Sequence, residues 1–63
     1  MTKRMNDTQQ RKKQILEAAR KNFMQKGFYN ASIDDVAAEV GVVRGTVLHY
    51  YKSKKELMEA VLE

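Results

Sequence analysis

The chain has 63 residues, with 12 Lys and Arg against 8 Asp and Glu for a net charge of +4, and its pI is near 9.6. It has no cysteine, no proline and a single histidine, His49, which excludes a disulfide framework and a structural zinc site and leaves helix packing to make the core. This length allows one small domain, no apolar run approaches the roughly 20 residues that span a bilayer, and the basic balance fits either an anionic partner such as nucleic acid or a solvated cationic surface.

Residues 1–8, Met-Thr-Lys-Arg-Met-Asn-Asp-Thr, are polar and basic without a period, so they are expected to form a flexible basic arm. Within it Lys3 and Arg4 are candidates for contact with a minor groove or with phosphates, against the plainer role of a solubilising tail. Residues 9–63 are expected to form one all-α domain, since good helix formers fill most of it. From Gln9 to Lys26, Ile15, Ala19 and Phe23 recur every four residues with Leu16 beside them, the stripe of an amphipathic first helix. Lys13, Glu17 and Lys21 step along the opposite, solvated face. Gly27 is placed to end this helix in a left-handed conformation, with Phe28 folding back on the stripe.

Ser32 stands three residues before Asp35, the spacing of a capping box, and Ile33, Val36, Ala37 and Val40 supply the apolar face of a short second helix. Gly41 closes it, and a turn of about three residues leads to a third helix from Arg44 to Tyr51, so the stretch of about 32–51 reads as a helix-turn-helix. Ser53 and Glu56 repeat the capping-box spacing ahead of Leu57, Met58, Val61 and Leu62, which places the start of a fourth helix near Lys54. Glu63 supplies no C-terminal cap, and the fourth helix is expected to be longer in a parent protein. The fold class is therefore all-α: a three-helix bundle with a helix-turn-helix, homeodomain-like, plus the beginning of a fourth helix. The expected core is Ile15, Ala19, Phe23, Val36, Ala37, Val40, Val47, Tyr51 and Leu57.

On the third helix Val47 and Tyr51 lie four apart and can face the other helices, which leaves Arg44, Thr46, His49 and Tyr50 for a partner. At the helix start Arg44 can offer a guanidinium fork to guanine or fall back on a phosphate. Thr46 can bond a phosphate, lay its methyl group on thymine, or bond a helix carbonyl. His49 can meet a base edge or a phosphate, and without a second histidine or cysteine it has no partners for a metal. Gly45 lets backbone approach a groove wall at a cost in helix stability, or else relieves crowding against another helix. Ser32 can cap the second helix, contact phosphate, or do both. Lys52, Lys54 and Lys55 crowd the start of the fourth helix, where peptide N–H groups and the Lys54 ammonium can hold one phosphate together; a solvated lysine cluster is the plainer alternative.

Ile-Leu-Glu-Ala-Ala-Arg-Lys-Asn-Phe at 15–23, Gly27-Phe28, and Gly-Val-Val-Arg-Gly-Thr-Val-Leu-His-Tyr-Tyr-Lys-Ser-Lys-Lys-Glu-Leu at 41–57 resemble the N-terminal DNA-binding domain of the TetR family of bacterial transcriptional regulators. The resemblance covers nearly the whole chain after residue 8. It implies sequence-specific binding of double-stranded operator DNA, usually an inverted repeat, by a cytoplasmic homodimer. It also implies a repressor released by an effector bound in a C-terminal ligand-binding and dimerisation domain that lies outside this sequence. The base contacts it implies are Arg44, Gly45, Thr46 and His49. The phosphate contacts are Ser32, Thr46, Tyr50, Lys52, Lys54 and Lys55, with Tyr50 at the position of a family histidine and Lys54 at that of a family lysine. No cofactor, metal or membrane is implied.

Three positions depart from the family pattern. Val43 stands in place of the usual serine and removes a side-chain cap from the third helix, Leu48 replaces a tyrosine that reaches phosphate, and Asn22 replaces a leucine beside Phe23, which trims the core or leaves a polar edge toward the missing domain. Two alternatives are another helix-turn-helix family, such as a sigma-factor region, and a basic helical module that binds protein or a membrane surface. Catalysis lacks an inventory: there is no cysteine, one histidine and no phosphate-cradling glycine loop, and Asp34, Asp35 and Glu56 sit where helices start.

Overall fold

The computed structural model describes residues 7–63. Four helices follow one another: α1 over Asp7–Lys26, α2 over Ile33–Val40, α3 over Arg44–Tyr50 and α4 over Lys54–Leu62. Helix α1 packs on both α2 and α4, and α2 packs on α3. It is the platform of the domain because its buried stripe is broad: Ile15, Ala18, Ala19, Asn22 and Phe23 all lie inside, the i, i+3, i+4, i+7, i+8 pattern of a full core-facing helix face. The helix starts two residues earlier than expected. Asp7 and Thr8 are helical, within the span expected for the arm. Lys3 and Arg4 lie outside the described residues.

The ends of the helices follow local chemistry. At the C-terminus of α1 Gly27 has φ +83° and donates its N–H to Phe23 O at 2.8 Å, a left-handed exit that a Cβ would strain. Phe28 then turns back so that its ring lies 5.8 Å from that of Phe23. Helix α2 has the full capping box: Asp35 N–H donates to Ser32 Oγ and Ser32 N–H donates to Asp35 Oδ2, each at 3.1 Å. Gly41 at φ +91° closes α2.

Helix α4 uses a variant of the same device. Glu56 N–H donates to Ser53 Oγ at 3.1 Å, but the Glu56 carboxylate reaches one residue further back and accepts from Lys52 N–H at 2.6 Å. Helix α3 is preceded by Val43, which provides no side-chain cap, as expected for a valine. It ends at Tyr50; Tyr51 has extended backbone, φ −134° and ψ 115°, yet its N–H still donates to Val47 O at 2.9 Å and its side chain stays buried.

The core joins Ile15, Ala19, Phe23, Val36, Ala37, Val47, Tyr51 and Leu57, as the periodicity predicts. Ala18, Ala31 and Ile33 complete it. Val40 is only half-buried because it is the last residue of α2, where it lines a shallow depression with Ala18, Lys21 and Glu39. Asn22 is inside the core rather than on an outer edge, and its amide is satisfied by donating to Ala18 O at 2.9 Å. Lys21, expected on a solvated face, is about half-exposed and pairs across to Glu39 of α2 at 3.2 Å.

Phe23→Ala removes a ring that touches both Phe28 and the main core, so it is expected to cost about 3–5 kcal/mol and to unfold much of a domain this small; an unchanged thermal melt would refute the core. The Asp35 carboxylate is held below its ordinary pKa of 3.8 by its contacts with Lys26 and Ser32. A depressed folded-state pKa gives stability that is present above the ordinary value and is lost as pH falls through the depressed one. The melting temperature should therefore drop on acidification below about pH 4, and Asp35→Asn should flatten that fall while lowering stability at neutral pH.

Candidate nucleic-acid interface

Helix α3 has only seven residues, too few to be stable in isolation, so its position depends on what it buries. Val47 is fully buried and Tyr51, just past the end, is nearly so. At about 100° per residue, anchoring Val47 inward turns Gly45 and His49 outward. Arg44 and Leu48 fall on one flank, Thr46 and Tyr50 on the other. Arg44, Gly45 and His49 are exposed, while Thr46, Leu48 and Tyr50 are half-buried. The His49 and Tyr50 rings meet edge to face, with centroids 5.2 Å apart.

Gly45 is clear of every neighbour: a Cβ built on it would meet nothing within 4 Å. The idea that this glycine relieves crowding against another helix therefore has no support. Its missing side chain leaves open space on the outward face, and Val43, just before α3, is 72% exposed beside it.

Arg44 is not wholly free. Its Nε approaches Asp34 Oδ1 of α2 at 3.6 Å, with both side chains mostly exposed. That carboxylate, which sequence reasoning assigned only to the start of α2, shares the surface with α3. No pattern along the chain could have shown this, because the pairing depends on how α2 and α3 cross.

The lysines around the start of α4 fall into two classes. Lys52 and Lys55 are exposed. Lys54 is half-buried; its Nζ donates to Ala31 O at 2.7 Å and lies 4.4 Å from the centre of the Phe28 ring, a cation–π distance. An ammonium group has three N–H donors, so the bond to Ala31 leaves others available. Ala31 immediately precedes Ser32, the half-buried cap of α2. Lys54 therefore fastens the first turn of α4 to the turn before α2. Phe28 and Ala31 form its seat, a role that sequence reasoning did not give them.

Among the described residues, no helix is long and apolar enough to cross a membrane, and no cluster of three or more His, Cys, Asp or Glu is placed to hold a metal.

Comparison with known proteins agrees with this arrangement. The chain is 33% identical over 57 residues to the HTH-type transcriptional regulator TtgR of Pseudomonas putida, covering 90% of this chain and 27% of that protein. It is 43% identical over 51 residues to the uncharacterized HTH-type transcriptional regulator YhgD of Bacillus subtilis, covering 81% and 27%. It is 31% identical over 62 residues to the HTH-type transcriptional regulator UidR of Escherichia coli, covering 98% and 32%. The chain thus spans about a quarter to a third of the length of these relatives. No solved structure matches it. A family model described as bacterial regulatory proteins, tetR family, matches residues 15–61, and with the helix-turn-helix geometry this shows that the chain belongs to the TetR family of bacterial regulatory proteins and is a DNA-binding domain of that family.

Proposed function

We propose that α3 is the recognition helix of a cytoplasmic, operator-binding repressor, entering the major groove with Arg44, Gly45, Thr46 and His49 toward the bases. Ser32, Thr46, Tyr50, Lys52, Lys54 and Lys55 lie along the phosphates on either side, and Lys3 and Arg4 of the arm add contacts to the backbone or the minor groove. The observation that carries this reading is Gly45, a glycine inside a helix with nothing near it. Glycine costs an exposed helix up to about 1 kcal/mol relative to alanine, and the packing of this chain returns nothing for that cost. A DNA backbone or base edge brought close to α3 does.

Lys54 fits the clamp role because its seat fixes where the ammonium points. Held by Ala31 O and the Phe28 face, it needs little further ordering to meet a phosphate oxygen, and pre-organisation of this kind raises affinity by lowering the entropy lost on binding. The exposed Lys52 and Lys55 adjoin Lys54 in the chain, and with the Tyr50 hydroxyl they would add further phosphate contacts.

One head makes few contacts. Binding by a single chain is expected to be nonspecific, with Kd of roughly 10⁻⁴–10⁻⁶ M at physiological salt. Specificity then comes from pairing two heads on an inverted repeat through a dimerising body, where an effector would control their spacing and release the operator.

The decisive measurement is titration of duplex DNA over a range of salt. Lys54→Met should weaken binding to all sequences and reduce the salt slope by about one. Gly45→Ala should raise the melting temperature while weakening binding to DNA. A variant that gains stability and binds as well as the parent would remove the main support for groove entry by α3.

The paired-head reading is tested by fusing a dimerising helix after Glu63 and varying the spacing between inverted half-sites one base pair at a time. One spacing should bind about a hundredfold or more tighter than a single half-site. Equal affinity at every spacing would overturn the two-fold arrangement.

A further inference from the structure

We propose that Asp34 is a specificity-determining positioning residue that presents the Arg44 guanidinium end-on to a base, an inference that rests on the base-reading role of Arg44. Helix α2 has two acidic residues in its first turn, and they have different jobs. Asp35 completes the capping box and pairs with Lys26 at 3.2 Å. Asp34 takes no part in the cap. Its contact is with Arg44 of α3, and its side chain is 74% exposed.

The atom it approaches matters. A guanidinium group has five N–H donors in one plane and can offer a two-pronged fork either from its side, through Nε and one Nη, or from its tip, through both Nη atoms. The closest approach of Asp34 is to Nε, at 3.6 Å. This directs the side edge of the group toward α2 and leaves the tip for guanine N7 and O6. An otherwise free Arg44 side chain would sample many rotamers and would settle as readily on a phosphate as on a base. A carboxylate behind it narrows that choice.

Charge acts in the same direction. A carboxylate on a surface that meets DNA repels phosphate, so Asp34 lowers affinity for every sequence. Repulsion that falls on all sequences alike, combined with orientation that favours one base pair, raises the ratio between right and wrong sites. Specificity is that ratio.

The experiment begins with selection of a preferred half-site, presented as an inverted repeat in random duplexes, using the two-headed protein made by fusing a dimerising helix after Glu63, and every variant is compared in that form. Titrations then compare that half-site with single-base variants for the parent chain, Asp34→Ala, Asp34→Glu, Arg44→Ala and the double variant Asp34→Ala/Arg44→Ala. Arg44→Ala should reduce discrimination at one base pair by about five- to 150-fold. Asp34→Ala should reduce discrimination at that same base pair by about two- to fivefold, the range of an exposed ion pair, while tightening binding to unrelated duplexes. Asp34→Glu should recover part of the discrimination, and the double variant should discriminate no worse than Arg44→Ala alone. A merely structural role for Asp34 would weaken all duplexes together and leave their ratios unchanged.

If Arg44→Ala abolishes discrimination and Asp34→Ala leaves it intact, the positioning role is wrong and the base-reading role stands. If Arg44→Ala changes no base preference, the base-reading role fails and the positioning role fails with it.

Discussion

Burial of Val47 is the constraint on which the outward surface depends. Helix α3 is two turns long and cannot hold its shape alone, so the one fully buried side chain on it fixes both where it sits and which way it faces. Val47 belongs to the same core cluster as the buried face of α1, and α3 itself packs on α2, which α1 carries together with α4. A change deep in α1 therefore reaches the outward face of α3 without touching it. Tyr51 extends the anchor past the helix end, where burial raises the pKa of its phenol above the ordinary 10.0, helped by the negative charges of Glu56 and Glu63. The interior thus prefers a neutral ring at the joint between α3 and α4.

Helix α2 ties the outer faces together. Each of its three acidic residues reaches a cation on another helix: Asp34 to Arg44, Asp35 to Lys26 and Glu39 to Lys21. Exposed pairs of this kind contribute at most about 1 kcal/mol each, so they add little to stability. Their effect is on where cations point. Lys21 and Lys26 are drawn toward α2 by these contacts, while Lys52 and Lys55 keep their charge at the start of α4. A net charge of +4 says nothing of this distribution.

Features that depend on neighbours along the chain are legible in the sequence alone. The capping box at Ser32 and Asp35, the left-handed exit at Gly27, the missing cap at Val43 and the apolar stripes all follow from local residue types and spacings of three or four. Contacts across helices are not legible in that way. The seat of Lys54 on Ala31 and Phe28 spans 23 residues of sequence, and its geometry comes from the way α4 leans on α1. The pairing of Asp34 with Arg44 likewise depends on the crossing of α2 and α3. Glu56 shows the limit within a local motif: its spacing from Ser53 is correct for a reciprocal box, yet a glutamate is long enough to pass Ser53 and take the N–H of Lys52. Asp35, one methylene shorter, stops at Ser32.

The beginnings of α2 and α3 differ in kind, although both helices are short and both start within the same motif. Helix α2 has a serine cap, a reciprocal carboxylate and a closing glycine, so its local sequence agrees with its fold at every point. Helix α3 follows an uncapped valine, where a serine cap is typically worth about 1 kcal/mol, and carries an unpacked glycine as its second residue, which costs up to about as much again. These two costs fall within three residues, Val43 to Gly45, all of them exposed. Sequence and structure usually agree across levels, and places where they disagree without compensation inside the protein tend to be places where function imposes its own demand. On the proposed reading the demand falls on Gly45, where open space replaces a side chain. The core supplies the stability that α3 lacks by locking Val47 and Tyr51, so the first turn of α3 can carry residues that do not stabilise it, as the proposed contact with DNA requires.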